Sequence, residues 1–293
     1  MSVESSSVPV GFIGLGNMGA PMAKRLLDWP GGLTVCDVNS AATLPFTEAG
    51  ARAATDPAAL AAESAVICVT VVNDEQVRDV LTGPAGILRT AAPGTVVAVH
   101  STISDETAEQ LAAVCAEHEV EFVDAPVSGG APGAARGALA VMVGGSAAAV
   151  ERIRAPFGCF SDLIVHAGAV GAGTRMKLAR NLLHFVAFTA AAEAQRLAEA
   201  AGLDIAALGK VVRHSDAITG GPGAIMLRDT TAQIDPADFW YPILGHVRDL
   251  GEKDLSLALE LGDRLGIQLP LAQLARTGLG SGLGVGDTAL SSG

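Results

Sequence analysis

Positive charge is scarce in this chain. Its 293 residues carry 19 Lys and Arg against 31 Asp and Glu, a formal net charge of −12, with no basic block. A nucleic-acid footprint needs a basic face, so that class is set aside, and an anionic membrane surface is disfavoured for the same reason. Cysteine is scarce too. Cys36, Cys68, Cys115 and Cys159 are scattered without CxxC spacing, which suggests neither a metal site nor a disulfide framework. Isolated thiols fit a reducing cytoplasm. No apolar run reaches membrane-spanning length without charge or glycine. The opening MSVESSSVP lacks a basic segment followed by an apolar one, so it does not read as a secretory signal. Those first residues, and Ser291 to Gly293, read as loose tails. What is present is a hydrophobic fraction of 49%, enough for two domains with ample core.

Val8 to Ile13 is a short apolar run that reads as a buried parallel strand. GLGNMG follows, from Gly14 through Gly16, Asn17 and Met18 to Gly19, and opens a helix expected from about Asn17 to Asp28. The next strand, Leu33 to Cys36, ends at Asp37. A GxGxxG is weak by itself. After a strand, before a helix and with an acid about 20 residues on, it is the dinucleotide fingerprint. Its glycines let backbone approach a pyrophosphate, and Asp37 is placed to accept hydrogen bonds from the adenosine ribose. With no Arg in Val38, Asn39 or Ser40 to neutralise a 2′-phosphate, NAD is expected over NADP.

The alternation continues. Strands are expected at Ala65 to Val72, Thr95 to Val99, Val120 to Val123, Leu139 to Val143 and Leu163 to Val165. Helices are expected at about Glu75 to Leu81, Asp105 to Glu117 and Ser146 to Phe157. In open α/β sheets ligands lie beyond the carboxyl ends of strands, where Val72, Asn73, Thr102 and the segment after Val123 fall. His100 sits at such an end and reads as part of a local hydrogen-bond network rather than as a base. In DAPVSGG, Ser128, Gly129 and Gly130 offer a hydroxyl and two open backbone N–H groups, able to hold a carboxylate or oxyanion; a flexible surface loop is the alternative.

Gly171 to Gly202 reads as one long helix, roughly 45 Å at 1.5 Å per residue. Its mostly apolar surface predicts burial on several sides. Lys177 and Asn181, four apart, share one of its faces. A snorkelling lysine beside a capping amide is the bland reading. Beyond Gly202 the strand signals stop. Ile205 to Arg213, Gly223 to Arg228, Ile243 to Leu265 and Leu271 to Leu279 read as helices. Phe239 and Trp240 are candidates for a substrate wall, although paired aromatics before a helix more often pack a core. The fold class expected is a Rossmann-type α/β domain, residues 1–168, followed by an all-α domain, residues 169–293, joined by the long helix.

Four ordered motifs, GFIGLGNMG, DAPVSGG, GAGTRMKLARN and EKDL, make the chain resemble the β-hydroxyacid dehydrogenases over nearly its whole length, most of all the short 3-hydroxyisobutyrate branch. The resemblance implies an NAD(P)-dependent oxidoreductase acting on a short 3-hydroxy acid or semialdehyde acid, and a homodimer or homotetramer built through the helical domain. It implies that Lys177 is the catalytic acid/base and that Asn181 contacts substrate. Ser128, Gly129 and Gly130 form a substrate-binding turn, Thr102 lies near the nicotinamide, and Lys253 approaches cofactor and substrate. His100 and Asp105 depart from the family pattern, which usually has an acid and a proline there. Imine reductases share the architecture but generally replace the lysine, so Lys177 argues against that branch. Burial, with Lys253 nearby, would lower the pKa of Lys177 enough for it to act as a base. An NADPH-dependent reductase of glyoxylate, succinic semialdehyde or tartronate semialdehyde is the alternative enzyme, and a non-catalytic dinucleotide-binding module is the alternative from another class.

Overall fold

The computed structural model describes residues 7–225, 228 and 230–286; residues 1–6 of the first expected tail, the whole of the second, and residues 226 and 227 of one expected helix lie outside them. The chain divides into two compact units, Met1–Arg180 and Asn181–Gly293.

In the first unit, strand β1 (Val10–Ile13) passes through the glycine turn into helix α1 (Gly19–Lys24) and then β2 (Leu33–Cys36). Helix α2 (Leu44–Thr47), the two-residue β3 (Arg52–Ala53) and α3 (Pro57–Ala61) lead to β4 (Val66–Val69). Next come α4 (Asp74–Thr82), β5 (Val96–Val99), α5 (Asp105–Glu117) and β6 (Glu121–Asp124). The unit continues with β7 (Val127–Ser128), α6 (Gly130–Arg136), β8 (Leu139–Gly144), α7 (Ala147–Phe157) and β9 (Ser161–Gly168). Among the described residues, nine strands form one sheet in the order β3-β2-β1-β4-β5-β6-β8-β7, with β9 on β8. The first six are all parallel, and β6 and β7 pair antiparallel to β8. This is the doubly wound order, and its direction of winding reverses between β1 and β4. The ends of β1 and β4 therefore flank the crevice where such sheets bind ligands.

Both faces of the parallel strands are covered, which is why they read as unbroken apolar runs. Val66 and Cys68 of β4 join one core with Phe12, Met22, Phe157 and Phe160. Ile67 and Val69 point to the other face, among Ile13, Leu81, Leu111 and Cys115. Cys36, Cys68 and Cys115 are all buried in these layers.

Helix α8 (Ala172–Ala200) spans 29 residues, and the division between units falls within it. The expectation that it is buried on several sides is corrected. Leu182, Phe185 and Phe188 are 68%, 59% and 58% exposed. One copy of the chain does not cover this apolar surface, and nothing in an apolar sequence names what covers it.

The second unit is helical. Helix α9 (Ile205–Thr219) runs two turns beyond its expected end and stops at Gly220, which is left-handed. A tight 3-10 turn, Gly221–Ile225, stands where a helix from Gly223 was expected. Helix α10 (Trp240–Leu265) begins three residues before Ile243, with Pro242 in its first turn, where no N–H is needed. Helix α11 (Pro270–Leu283) has no cap from its own N-terminal neighbour. Buried Glu193 of α8 supplies one, accepting from the N–H groups of Leu271 at 2.9 Å and Ala272 at 3.2 Å. Trp240 packs against the small core of Ile234, Leu244, Leu283 and Val285, whereas Phe239 is exposed.

Candidate active site

The glycine turn is built by close approach. Gly14 has φ of +91°, and a Cβ there would overlap the carbonyl of Thr70, at the end of β4. A Cβ on Gly19 would overlap the carbonyl of Gly14. Gly16 is different, because a Cβ there would meet no atom within 4 Å. Two glycines thus close the turn onto the sheet, and the third leaves backbone open on the ligand side, a cradle that fits a pyrophosphate. Asn17 is exposed and Met18 half-buried beside it. Asp37 holds the turn from the end of β2: its Oδ2 accepts from the N–H of Leu15 at 2.6 Å and its Oδ1 from that of Asn39 at 2.8 Å.

Across the crevice, Val72 is exposed and Asn73 caps α4, its Oδ1 accepting from the N–H of Gln76 at 2.9 Å. Ser101 ties the ends of β4 and β5 together, donating to the Val71 carbonyl at 2.7 Å and accepting from its N–H at 2.8 Å. This leaves Thr102 exposed in the turn before α5.

His100 is buried. Its Nδ1 lies 2.8 Å from the carbonyl of Ala125, and its ring packs on Phe12, Phe157 and Phe160. Burial pushes its pKa down to about 4, against the opposing hydrogen bond to Ala125. The ring is therefore neutral, with Nδ1–H donating and Nε2 buried without a partner. The expected local network reduces to one bond inside an aromatic cage. Asp105, where the family commonly has proline, begins α5 and pairs with Arg175 of α8 at 2.7 Å; Glu109 pairs with the same guanidinium. That pairing holds the Asp105 carboxyl below its usual range.

Lys177 stands on the second turn of α8, half-buried, and its Nζ donates to the carbonyl of Val127 at 2.7 Å. Val127 precedes Ser128, so the lysine and the proposed substrate turn meet within the first unit. Burial, and then the positive charge of Arg180, lower the lysine's pKa from its ordinary value. Ser128 is half-buried, and Gly129 and Gly130 are exposed with φ of +129° and +64°. What had read as a turn or a loose loop also starts a helix, α6, concealed in sequence by Gly130, Pro132 and Gly133. Asn181 lies one turn beyond Lys177 on α8, half-buried. Lys253, on α10 in the second unit, pairs with its neighbour Asp254 at 3.1 Å. Sequence reasoning missed Asp124, whose carboxylate is buried under the start of α8; its place at a strand end, opening DAPVSGG, was the available signal.

The fold and the glycine cradle define a dinucleotide-binding protein. Residues 9–168 match the model of the NAD binding domain of 6-phosphogluconate dehydrogenase, and residues 171–285 match that described as NAD-binding of NADP-dependent 3-hydroxyisobutyrate dehydrogenase. The chain belongs to the β-hydroxyacid dehydrogenase family related to 3-hydroxyisobutyrate dehydrogenase, and is an NAD(P)-dependent dehydrogenase. It is 59% identical to an uncharacterised oxidoreductase of Mycobacterium tuberculosis over 97% of this chain and 96% of that protein. A crystal structure of an oxidoreductase from Mycobacterium avium superposes with a TM-score of 0.90 at 55% identity, covering 94% of this chain and 98% of the other. Mycobacterium tuberculosis 3-hydroxyisobutyrate dehydrogenase, solved with L-serine, gives a TM-score of 0.66 at 32% identity, covering 92% and 91%. Among the described residues, no helix is long and apolar enough to cross a membrane.

Proposed function

We propose that the chain oxidises a short 3-hydroxy acid with NAD, with Lys177 as the general acid/base. The carrying observation is the lysine's place: half-buried, with a lowered pKa and its Nζ 2.7 Å from the Val127 carbonyl at the start of the Ser128–Gly130 turn. Nicotinamide, when bound, supplies the hydride acceptor and donor. Gly14, Gly16, Asn17, Met18 and Gly19 hold the pyrophosphate, Asp37 the adenosine ribose, and Val72, Asn73 and Thr102 the side of the crevice beyond β4 and β5. Lys177 in its neutral form accepts the hydroxyl proton, and as ammonium it returns the proton in the reverse direction. Ser128, Gly129 and Gly130 hold the substrate carboxylate with one hydroxyl and open N–H groups. Asn181 and Lys253 keep the roles that the resemblance implies. In this reading residues 1–168 bind cofactor, and residues 169–293 serve substrate binding and oligomerisation in the cytoplasm.

A screen of short 3-hydroxy acids with both cofactors tests the proposal, and no turnover with any of them would defeat it. A second reading, an NADPH-dependent reductase of a short semialdehyde acid, draws support from the NADP-dependent family described for residues 171–285. Asp37 opposes it, since its carboxylate repels a 2′-phosphate. The exposed apolar surface of α8 supports a homo-oligomer; light scattering at micromolar concentration is expected to return at least a dimer mass, and a monomer mass would remove that part.

A further inference from the structure

We propose that Asp124 is a positioning residue whose carboxylate fixes the start of α8, so that Lys177 projects onto the Val127–Ser128 turn. The inference rests on the reading of Lys177 as the acid/base. Asp124 is the last residue of β6 and is 0% exposed. Both its oxygens are taken up where the lysine's helix begins: Oδ1 accepts from the N–H of Gly171, the residue just before α8, at 2.8 Å, and Oδ2 from that of Thr174 in its first turn at 2.6 Å. These are N–H groups that the first turn of a helix cannot satisfy internally.

The connections form a ring. From Asp124 the chain runs three residues to Val127, whose carbonyl accepts from Lys177; from Lys177 the helix runs three residues back to Thr174, whose N–H returns to Asp124. Neighbouring glycines leave the ring no slack. A Cβ on Gly144 would overlap the Asp124 carboxylate, and one on Gly173 would overlap the carbonyls of Met142 and Asp124. Buried Thr174 adds no room on the helix side. A carboxylate is suited to this place because both its oxygens accept. An amide of the same shape would set an N–H against one of the two donors.

The test is Asp124→Asn, read three ways. Turnover of the hydroxy acid found in the screen should fall by about tenfold or more, the scale on which a misplaced reacting group loses rate. NAD affinity should stay within about threefold, since the cradle lies elsewhere in the sheet. The ammonium of Lys177, followed by NMR in the cofactor-free protein, should titrate closer to the ordinary lysine value, because a loosened helix start lets water reach it. The chain has only Lys24, Lys177, Lys210 and Lys253 to assign. A folded Asp124→Asn protein with wild-type turnover and a wild-type Lys177 titration would overturn the proposal, reducing Asp124 to a structural cap. If Asp124→Asn does not fold, Thr174→Pro takes its place, with the same expected and overturning results. It removes the Oδ2 donor at a helix start that tolerates proline, after a glycine that eases the fit. Should Lys177→Ala retain turnover, the acid/base reading fails instead, and the titration alone then decides whether the ring exists.

Discussion

The Oδ2 atom of Asp37 lies 2.6 Å from the backbone nitrogen of Leu15, joining the end of β2 to the middle of the glycine turn. One carboxylate thus shapes the turn and places negative charge where the adenosine ribose is expected. Asp37→Ala should therefore weaken NAD binding and also narrow the preference for NAD over NADP. The ratio of kcat/KM for the two cofactors checks this; equal values in the parent enzyme would contradict the assignment.

The two kinds of glycine in the turn should respond differently. Gly16 opens onto space, so Gly16→Val should block cofactor entry while leaving the melting temperature nearly unchanged. Gly14 is pressed against the Thr70 carbonyl at a positive φ, so Gly14→Ala should lower the melting temperature. Thermal melts with and without NAD separate the two outcomes.

Lys177→Ala should lower kcat by roughly 10²–10⁴, the usual worth of a positioned acid/base, and leave NAD affinity nearly intact. Lys177→Arg should not rescue turnover, because a guanidinium does not deprotonate at working pH. The lysine's lowered pKa sets the sign of the pH profile: for oxidation, kcat/KM should rise with pH through an apparent pKa below 10.5. A Lys177→Ala enzyme keeping half its turnover would refute the role.

His100 should make the first unit acid-sensitive. Its folded pKa of about 4 lies below the ordinary 6.5, so between these values the unfolded chain binds a proton that the folded chain refuses. Stability should therefore be fully present above pH 6.5 and fall as the pH drops towards 4, by up to about 3 kcal/mol from this residue. His100→Phe, which keeps an aromatic among Phe12, Phe157 and Phe160, should flatten the slope in that window. Urea unfolding at pH 7 and pH 4.5 measures it, and an unchanged slope would contradict the assignment.

The parallel strands were legible because a strand buried on both faces shows as an uninterrupted run, as Val66–Val69 does. The glycine turn was legible because its spacing carries its own geometry. Helix α6 was not, since Gly130, Pro132 and Gly133 are breakers by composition and are tolerated here only because they fall in a first turn. Strand β3 is two exposed residues, Arg52 and Ala53, with no pattern to show. At the candidate site, the spacing of Lys177 and Asn181 was readable because a helix makes near neighbours in sequence near neighbours in space. The bond from Asp124 to Thr174 crosses 50 residues, and no local pattern encodes it. The aromatic cage around His100 was hidden for the same reason: the ring of Phe157, which packs on it, comes from a distant helix.

The buried thiols of the sheet layers also make the first unit its own reporter. Burial raises the Cys36 thiol to about 11 and the Cys115 thiol to about 12, and pushes Cys68 up as well, so at neutral pH almost none is thiolate and none is open to an alkylating reagent. All four cysteines fall between residues 36 and 159, outside the second unit. Half-exposed Cys159 is the early site. Each further adduct counted by mass spectrometry then times an opening of the dinucleotide-binding layers alone, without any engineered label.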